Sequence, residues 1–383
     1  MAKKNKDQKE NSDLELKTII GNQITNGLGY LGGQLSDQRR KSLEYYLGDK
    51  LGTEIDGRSQ VVSTDVSDTI ESLLPNLLRV FTASDNVVRC EPMTAEDVPM
   101  ADQATAYLNH VFYKENNGFQ LLYNFFKDAL IEKNGFLKIY WDDSEKVDYE
   151  TYENLSPVEK EALQDTKDEI EIVDEEVFED EDAKEQFEAT LEQYKLQGAD
   201  TSQIQVPNFN LYNCKIKRIK KTGKVKIESV PPEEFLIERN AKTIDDADFV
   251  AHKVLMTRSD LVSMGYSQDE VDELPKSDLD IYNNEEIVRM RDIDNYNIST
   301  PTDSSTEKVL IYECYIKYDY DGDGIAELRK VVAAGSDGSH ILSNMPCDNV
   351  PFVTVTPIPM PHRFYGRSIS ELVEDVQLMK STV

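Results

Sequence analysis

The run Asp319-Tyr320-Asp321-Gly322-Asp323-Gly324-Ile325-Ala326-Glu327 is the sharpest chemical pattern in this 383-residue chain. It offers carboxylates at loop positions 1, 3, 5 and 9 and glycine at position 6, the order in which a calcium loop presents hard oxygen ligands around a sharp turn. Asp319, Asp321, Asp323 and Glu327 are therefore the candidate metal ligands. The bidentate glutamate that normally closes such a loop is replaced by Lys330, and the flanking segments alternate like strands. Two readings stay open. In one the loop holds calcium or magnesium weakly. In the other it is a tight hairpin turn whose aspartates accept from local N–H groups and whose glycines take positive φ.

The remaining reactive side chains are dispersed. His110, His252, His340 and His362 have no spaced partner for zinc. Cys90, Cys214, Cys314 and Cys347 form no CxxC pair, so buried free thiols are expected rather than a zinc site or a disulfide framework. No Gly-x-Ser-x-Gly elbow, P-loop or cysteine-centred nucleophile motif occurs. An enzyme is not expected, a metal-dependent hydrolase using Asp319, Asp321 and Asp323 being the lesser alternative, and no cofactor is expected beyond weak calcium. No apolar run reaches the ~18 to 20 residues that span a bilayer. The net charge of −31 opposes a tight grip on phosphates, without excluding a surface past which DNA slides without sticking.

Residues 1–35 are polar, with Gly27, Gly29, Gly32 and Gly33, and predict a flexible arm. Residues 36–141 read as helical: Gln38 to Leu47 stopped by Gly48, Asp65 to Phe81 with a kinking Pro75, Pro99 to Lys114, and Gly118 to Lys133 closed by Asn134-Gly135 as a left-handed cap. Phe136 to Trp141 reads as a strand. Residues 142–205 form an acidic insertion, with 23 Asp and Glu against five Lys between Asp142 and Asp200. Its pattern predicts a helical hairpin with a disordered tip around Asp174 to Asp182, peripheral to the fold. The sign then reverses, and Lys215 to Lys226 predicts a basic β-hairpin about Thr222-Gly223, paired with acidic surface of its own or of a neighbouring copy. Residues 206–362 are α+β, with strands Val309 to Tyr318, Ile325 to Ala334 and Phe352 to Val355. In 363–383, beyond the strut Pro357 to Pro361, Gly366 permits a turn and Ser368 with Glu371 makes a capping box. Ile369, Leu372, Val373, Val376 and Met379 then recur at helical spacing. No helix stop precedes Val383, so a truncated helix in a longer chain is expected.

These landmarks occur in a characteristic order. Arg39-Arg40-Lys41-Ser42-Leu43-Glu44-Tyr45-Tyr46-Leu47-Gly48, Glu54 to Ser63, Asp68-Thr69-Ile70-Glu71 and Leu73-Leu74-Pro75 are followed by Asn116-Asn117-Gly118-Phe119, Asp128-Ala129-Leu130 and Lys133-Asn134-Gly135. Pro231-Pro232-Glu233-Glu234-Phe235 and Pro361 to Ser368 complete the set. Over roughly residues 36 to 383 the chain resembles the N-terminal part of portal proteins of short-tailed, podovirus-type double-stranded-DNA bacteriophages. The resemblance implies an α+β, wing-like domain of helices and mixed or antiparallel sheet, ending at the start of a stem helix. It implies a structural subunit of a ring, about twelve copies at a capsid vertex, through which DNA is packaged and ejected. Implied partners are the chain itself, capsid and scaffold proteins, non-specific DNA in the channel, and terminase motor and neck proteins through regions outside this sequence. The implied location is the virion, after assembly in the host bacterial cytoplasm, with no membrane. An acidic adaptor that captures basic proteins through residues 142–200 is the alternative.

Overall fold

In the computed structural model, residues 2–50, 61–84, 86–143, 145–164, 169–196, 208–221, 223–276, 284–290 and 303–382 are described. Most of the Glu54 to Ser63 motif therefore lies outside them. The chain divides into two units, one made of Met1–Tyr140 with Lys226–Val383 and the other of Trp141–Val225.

The first unit opens with a helix where the glycine-rich composition predicts a flexible arm. α1 (Ala2–Tyr30) fully buries Leu16, Ile20 and Ile24, one side chain per turn, in the main core. Gly27 serves close approach: a Cβ there would sit 3.0 Å from the Leu236 side chain. A kink at Gly33 leads into α2 (Ser36–Leu47), which stops at Gly48 with φ +73° so that the N–H groups of Gly48 and Asp49 return to the carbonyls of Tyr45 and Glu44. α3 (Asp65–Thr82) runs through Pro75 and buries Val66, Ile70, Leu74 and Leu78; α4 (Val98–His110) follows. α5 (Gly118–Glu132) packs its Leu121, Phe125 and Phe126 stripe against α3 and α2. The residue beyond α5 with positive φ is Lys133, at +82°, rather than the expected asparagine–glycine pair. Gly135 is required for a different reason: a Cβ there would lie 2.1 Å from the Phe125 carbonyl oxygen.

β1 (Gly135–Asp142) leads out of this unit. In the second unit β2 (Glu145–Leu155), α6 (Pro157–Gln164), β3 (Glu169–Glu179), α7 (Glu181–Leu196) and β4 (Asn210–Lys221) follow in order. β4 is the centre of an antiparallel sheet ordered β2-β4-β3. Two expectations are corrected here. The acidic stretch is not a helical hairpin, because Glu169–Glu179 is a strand that neutralises its charge along β4: Glu171 stands opposite Lys217 and Asp174 opposite Lys215 in register. The basic stretch is not a hairpin, because β4 pairs with the acidic strands on both sides instead of with the strand that follows Gly223. Lys217 Nζ lies 3.1 Å from Glu171 and Arg218 Nη2 2.9 Å from Glu150, so acidic partners are found within the same chain.

β5 (Lys224–Val230) returns to the first unit beside β1, and β6 (Phe235–Ile237) and β7 (Phe249–Thr257) follow. α8 (Arg258–Ser263) starts at a reciprocal Thr257/Asp260 box, and α9 (Gln268–Asp272) is capped by Ser267. After α10 (Asn284–Met290) come β8 (Lys308–Tyr318), β9 (Glu327–Ala334), β10 (His340–Pro346), β11 (Phe352–Val355) and α11 (Ser370–Thr382). The sheets are β11-β1-β5 and an antiparallel five-stranded β10-β9-β8-β7-β6. Phe136 stacks on Phe235 at 4.1 Å, and Phe364 joins both, so β1, β6 and the segment before α11 share one core. The fold is α+β with antiparallel pairing, as expected from the sequence. Gly366 is needed less for a turn than for contact, since a Cβ would meet the Ile358 carbonyl oxygen at 2.2 Å. All four cysteines are free.

The division into units predicts where the chain tolerates excision. Replacing residues 143–222 by a short Gly-Ser linker leaves the first unit with an unchanged cooperative thermal transition, because loop closure depends only weakly on length. Removing 142–200 alone strips β2 and β3 from β4 and leaves its lysines and the buried Cys214 and Ile216 uncovered, so that protein aggregates. Scanning calorimetry and light scattering check both; equal behaviour of the two deletions would remove the argument.

Candidate functional site

Helical spacing and one turn bring together the side chains that matter most. On α5, Asp128 and Glu132 are four residues apart and share a face, and Glu132 is 1% exposed. α2 delivers Arg39, wholly buried, whose Nε donates to the Glu132 carbonyl at 3.3 Å and whose Nη1 donates to the Pro232 carbonyl at 3.0 Å. Its guanidinium lies over the Tyr365 ring, 5.3 Å from the centroid. Arg289, from α10, donates through Nη2 to Glu132 Oε1 at 2.6 Å and to Glu233 Oε2 at 3.1 Å, with Nη1 3.6 Å from Asp128. A cleft of about 370 Å³ opens here, lined in part by Leu43, Tyr46, Asp128, Glu132, Ser229 and Arg289.

Burial dominates the titration of this cluster. It pushes the Asp128 carboxyl up to about 6, with Arg289 opposing and Glu233 assisting. Glu132 is raised well above the ordinary range for the same reasons, and Glu285 is raised by burial against the opposing Arg39. Lys253 on β7 is lowered by burial. A second group behaves oppositely: Glu313 on β8, although buried, is held down to about 2 by Lys138 on β1 and Lys330 on β9. A like-signed pair of lysines around one carboxylate ties two sheets together.

The acidic loop lies between β8 and β9. Asp319 Oδ1 accepts from Gly322 N at 2.7 Å and Asp323 N at 3.1 Å, and Oδ2 accepts from Gly324 N at 2.8 Å. Asp321 and Asp323 accept from Asp323 N and Ile325 N. Gly322 and Gly324 take φ of +79° and +87°. Asp319, Asp321 and Asp323 bring carboxylate oxygens within 4.8 Å of one another. Glu327 does not join them: it stands on β9, 3.0 Å from Arg329. Lys330 turns away to Glu313, 2.5 Å distant. The geometry is that of a hairpin turn built on Asx hydrogen bonds, with three of the four proposed ligands adjacent.

The third feature is the outer face of α11. The Ser368/Glu371 box forms as expected, each side chain accepting from the other's N–H at 3.2 Å. The inner face is fixed by polar contacts: Gln377 Oε1 accepts from Val66 N at 2.9 Å and Nε2 donates to the Tyr45 carbonyl at 2.9 Å. Leu372, Val376 and Met379 are left 47%, 44% and 61% exposed. Sequence reasoning named this stripe and the loop. It missed the roles of Arg39, Glu132 and Arg289; the linear signal was that Arg39, Asp128, Lys133 and Glu233 fall inside the ordered motifs, and Arg289 lies in none of them.

Removing one member of a buried charge network leaves the others without compensation. Arg39→Met lowers the unfolding free energy by about 3–5 kcal/mol in urea titrations. A loss below about 1 kcal/mol would mean that packing around Tyr365, not the guanidinium, holds these segments.

The buried cluster joins Arg39, Asp128, Glu132, Glu233 and Tyr365, each drawn from a different one of the ordered sequence motifs or from its immediate neighbourhood. Part of the ordered motif set therefore meets in one buried cluster. Among the described residues no helix is long and apolar enough to cross a membrane. The family model described as phage SU10 portal protein matches residues 16–383, all but the first turns of the chain, and the chain belongs to that family of bacteriophage virion proteins.

Proposed function

We propose that the chain is the subunit of a ring at the capsid vertex through which double-stranded DNA is packaged and later ejected. Family membership over residues 16–383 carries this reading. The charge supports it, since a net −31 repels phosphates within a Debye length and lets a duplex pass without a tight grip. About twelve copies would close such a ring by one repeated head-to-tail contact. Capsid and scaffold proteins are its neighbours in this reading, the terminase motor and neck proteins its functional partners, and the host cytoplasm its place of assembly. The role is structural and non-catalytic.

Within that reading the outer face of α11 is a contact between copies. Its Leu372, Val376 and Met379 recur over two turns and stand out from an otherwise charged helix. Covering them removes apolar area from water at ~25 cal/mol per Å². Leu372→Glu with Val376→Glu therefore lowers the particle mass seen by light scattering and electron microscopy while the melting temperature stays unchanged. Equal masses for the parent and the double variant would remove α11 from the ring contact.

For the Asp319 to Asp323 loop we propose a turn that binds calcium weakly and needs none to form. The carboxylates already accept from backbone N–H groups, and no bidentate glutamate stands at the closing position. Calorimetry should give a Kd no tighter than roughly 10⁻⁴ to 10⁻³ M. Micromolar binding lost in Asp321→Ala would instead make the ion a structural clamp.

A further inference from the structure

Besides the cleft beside Arg289, a groove of about 350 Å³ opens between the later half of α3 and the start of α5. Leu74 and Leu78, both buried, form its floor, with Pro75 on the α3 side and Phe119 and Tyr123 on the α5 side. Phe119 is 51% exposed, so the groove is an apolar surface without a cover. Two charges stand at its edge, eight positions apart on α3. Glu71 is already engaged, accepting from the Tyr46 hydroxyl and lying 3.1 Å from Lys127. Arg79 is exposed, and its guanidinium has no ion pair or hydrogen bond among the described residues.

The outer face of α11 has the complementary form. Leu372, Val376 and Met379 stand at i, i+4 and i+7, the spacing of anchors on a helix laid into an apolar groove. Glu374 is held by Lys41 at 3.2 Å, and Lys380 by Asp65. Asp375, exposed beside the stripe, forms no ion pair among the described residues; Lys41, which it faces at longer range, is taken by Glu374. Groove and helix therefore each keep one unpaired charge, and the two are opposite in sign. The helix cannot fill the groove of its own chain. Gln377 and Lys380 fix α11 to Val66 and Asp65 in the first turn of α3, and Leu78 lies twelve residues beyond Val66, ~18 Å along the axis.

We propose that the α3–α5 groove of one copy receives the outer face of α11 from the next copy, with Leu372, Val376 and Met379 laid against Phe119 and the groove floor and Asp375 paired to Arg79. This contact rests on the ring reading and supplies a second surface that the ring requires. A face that meets its own counterpart closes a pair and stops, whereas a ring needs two different faces that fit each other and repeat until the rotation closes. The stripe on α11 is one such face and the groove is the other. Apolar burial drives the contact, since Phe119 and the three α11 side chains all leave water together. The single charge pair at the edge fixes how far the helix slides along the groove.

Thiol cross-linking of the full chain tests this one contact at a time. Cys90→Ser and Cys347→Ser first remove the two cysteines that are not buried. A Val376→Cys chain and a Phe119→Cys chain are then mixed and treated with a short bismaleimide. The mixture should give a cross-linked dimer, and neither chain alone should. Both positions are exposed, so the substitutions leave the fold in place. Adding Arg79→Asp to the Phe119→Cys chain should lower the dimer yield by roughly two- to fivefold, and adding Asp375→Arg to its partner should restore it. No dimer from the mixture, an equal dimer from Val376→Cys alone, or no recovery with the reversed pair would overturn the assignment. Particle images judge the ring separately. Rings without this cross-link remove the groove contact and keep the ring, whereas the cross-link without rings keeps the groove contact and removes the ring.

Discussion

Arg39 is wholly buried, and the first unit is arranged around the contacts of its guanidinium. Its donors reach the carbonyls that end α5 and the Pro231-Pro232 turn, and its flat face covers Tyr365 ahead of α11. Those contacts join residues separated by 93 and 193 positions, which no apolar contact would hold in so specific a register. Once Arg39 is in place the acidic end of α5 is forced inside, and Arg289 becomes the second cation needed to keep it there. The position of α11 follows, because Ser370 and Gln377 bond to α2 and α3 through Ser42, Tyr45 and Val66.

The same chain handles its surplus of acid in three ways. On the second unit it spreads carboxylates over two edge strands and places a lysine-rich strand between them, so repulsion becomes cross-strand attraction. At Glu313 it surrounds one carboxylate with two lysines and keeps it ionised. In the Arg39 cluster it buries Asp128 and Glu132 beside Arg289, and burial raises both carboxyls against the opposing guanidinium. These solutions differ in pH response: the Lys138–Glu313–Lys330 group loses stabilisation as pH falls through about 2, while the Arg39 cluster loses it as pH rises.

The two faces of α11 divide their labour. Its inner face uses a buried amide and a hydroxyl, which fix rotation about the helix axis more sharply than leucines would. That fixed rotation points Leu372, Val376 and Met379 outward as a group. The loop at Asp319 to Asp323, by contrast, spends its carboxylates on its own backbone. It forms the joint between β8 and β9.

Local rules carried much of the architecture. Gly48 as a stop, Ser368 as a start, and the strands from Val309 to Tyr318 and Phe352 to Val355 were all legible, because caps and periodicity depend on a few neighbouring residues. The ordered motifs also carried the family. Three things were decided by tertiary structure. α1 is a core helix because the sheet offers a seat for Leu16, Ile20 and Ile24, and Gly27, which locally argues for a mobile arm, is small enough to pass Leu236. β3 is a strand despite its charge because β4 supplies the counter-charge from some forty residues away in sequence. The Arg39 cluster was invisible as a site, since whether a charged residue is solvated or buried depends on what the rest of the chain places beside it, and its members come from five separate segments.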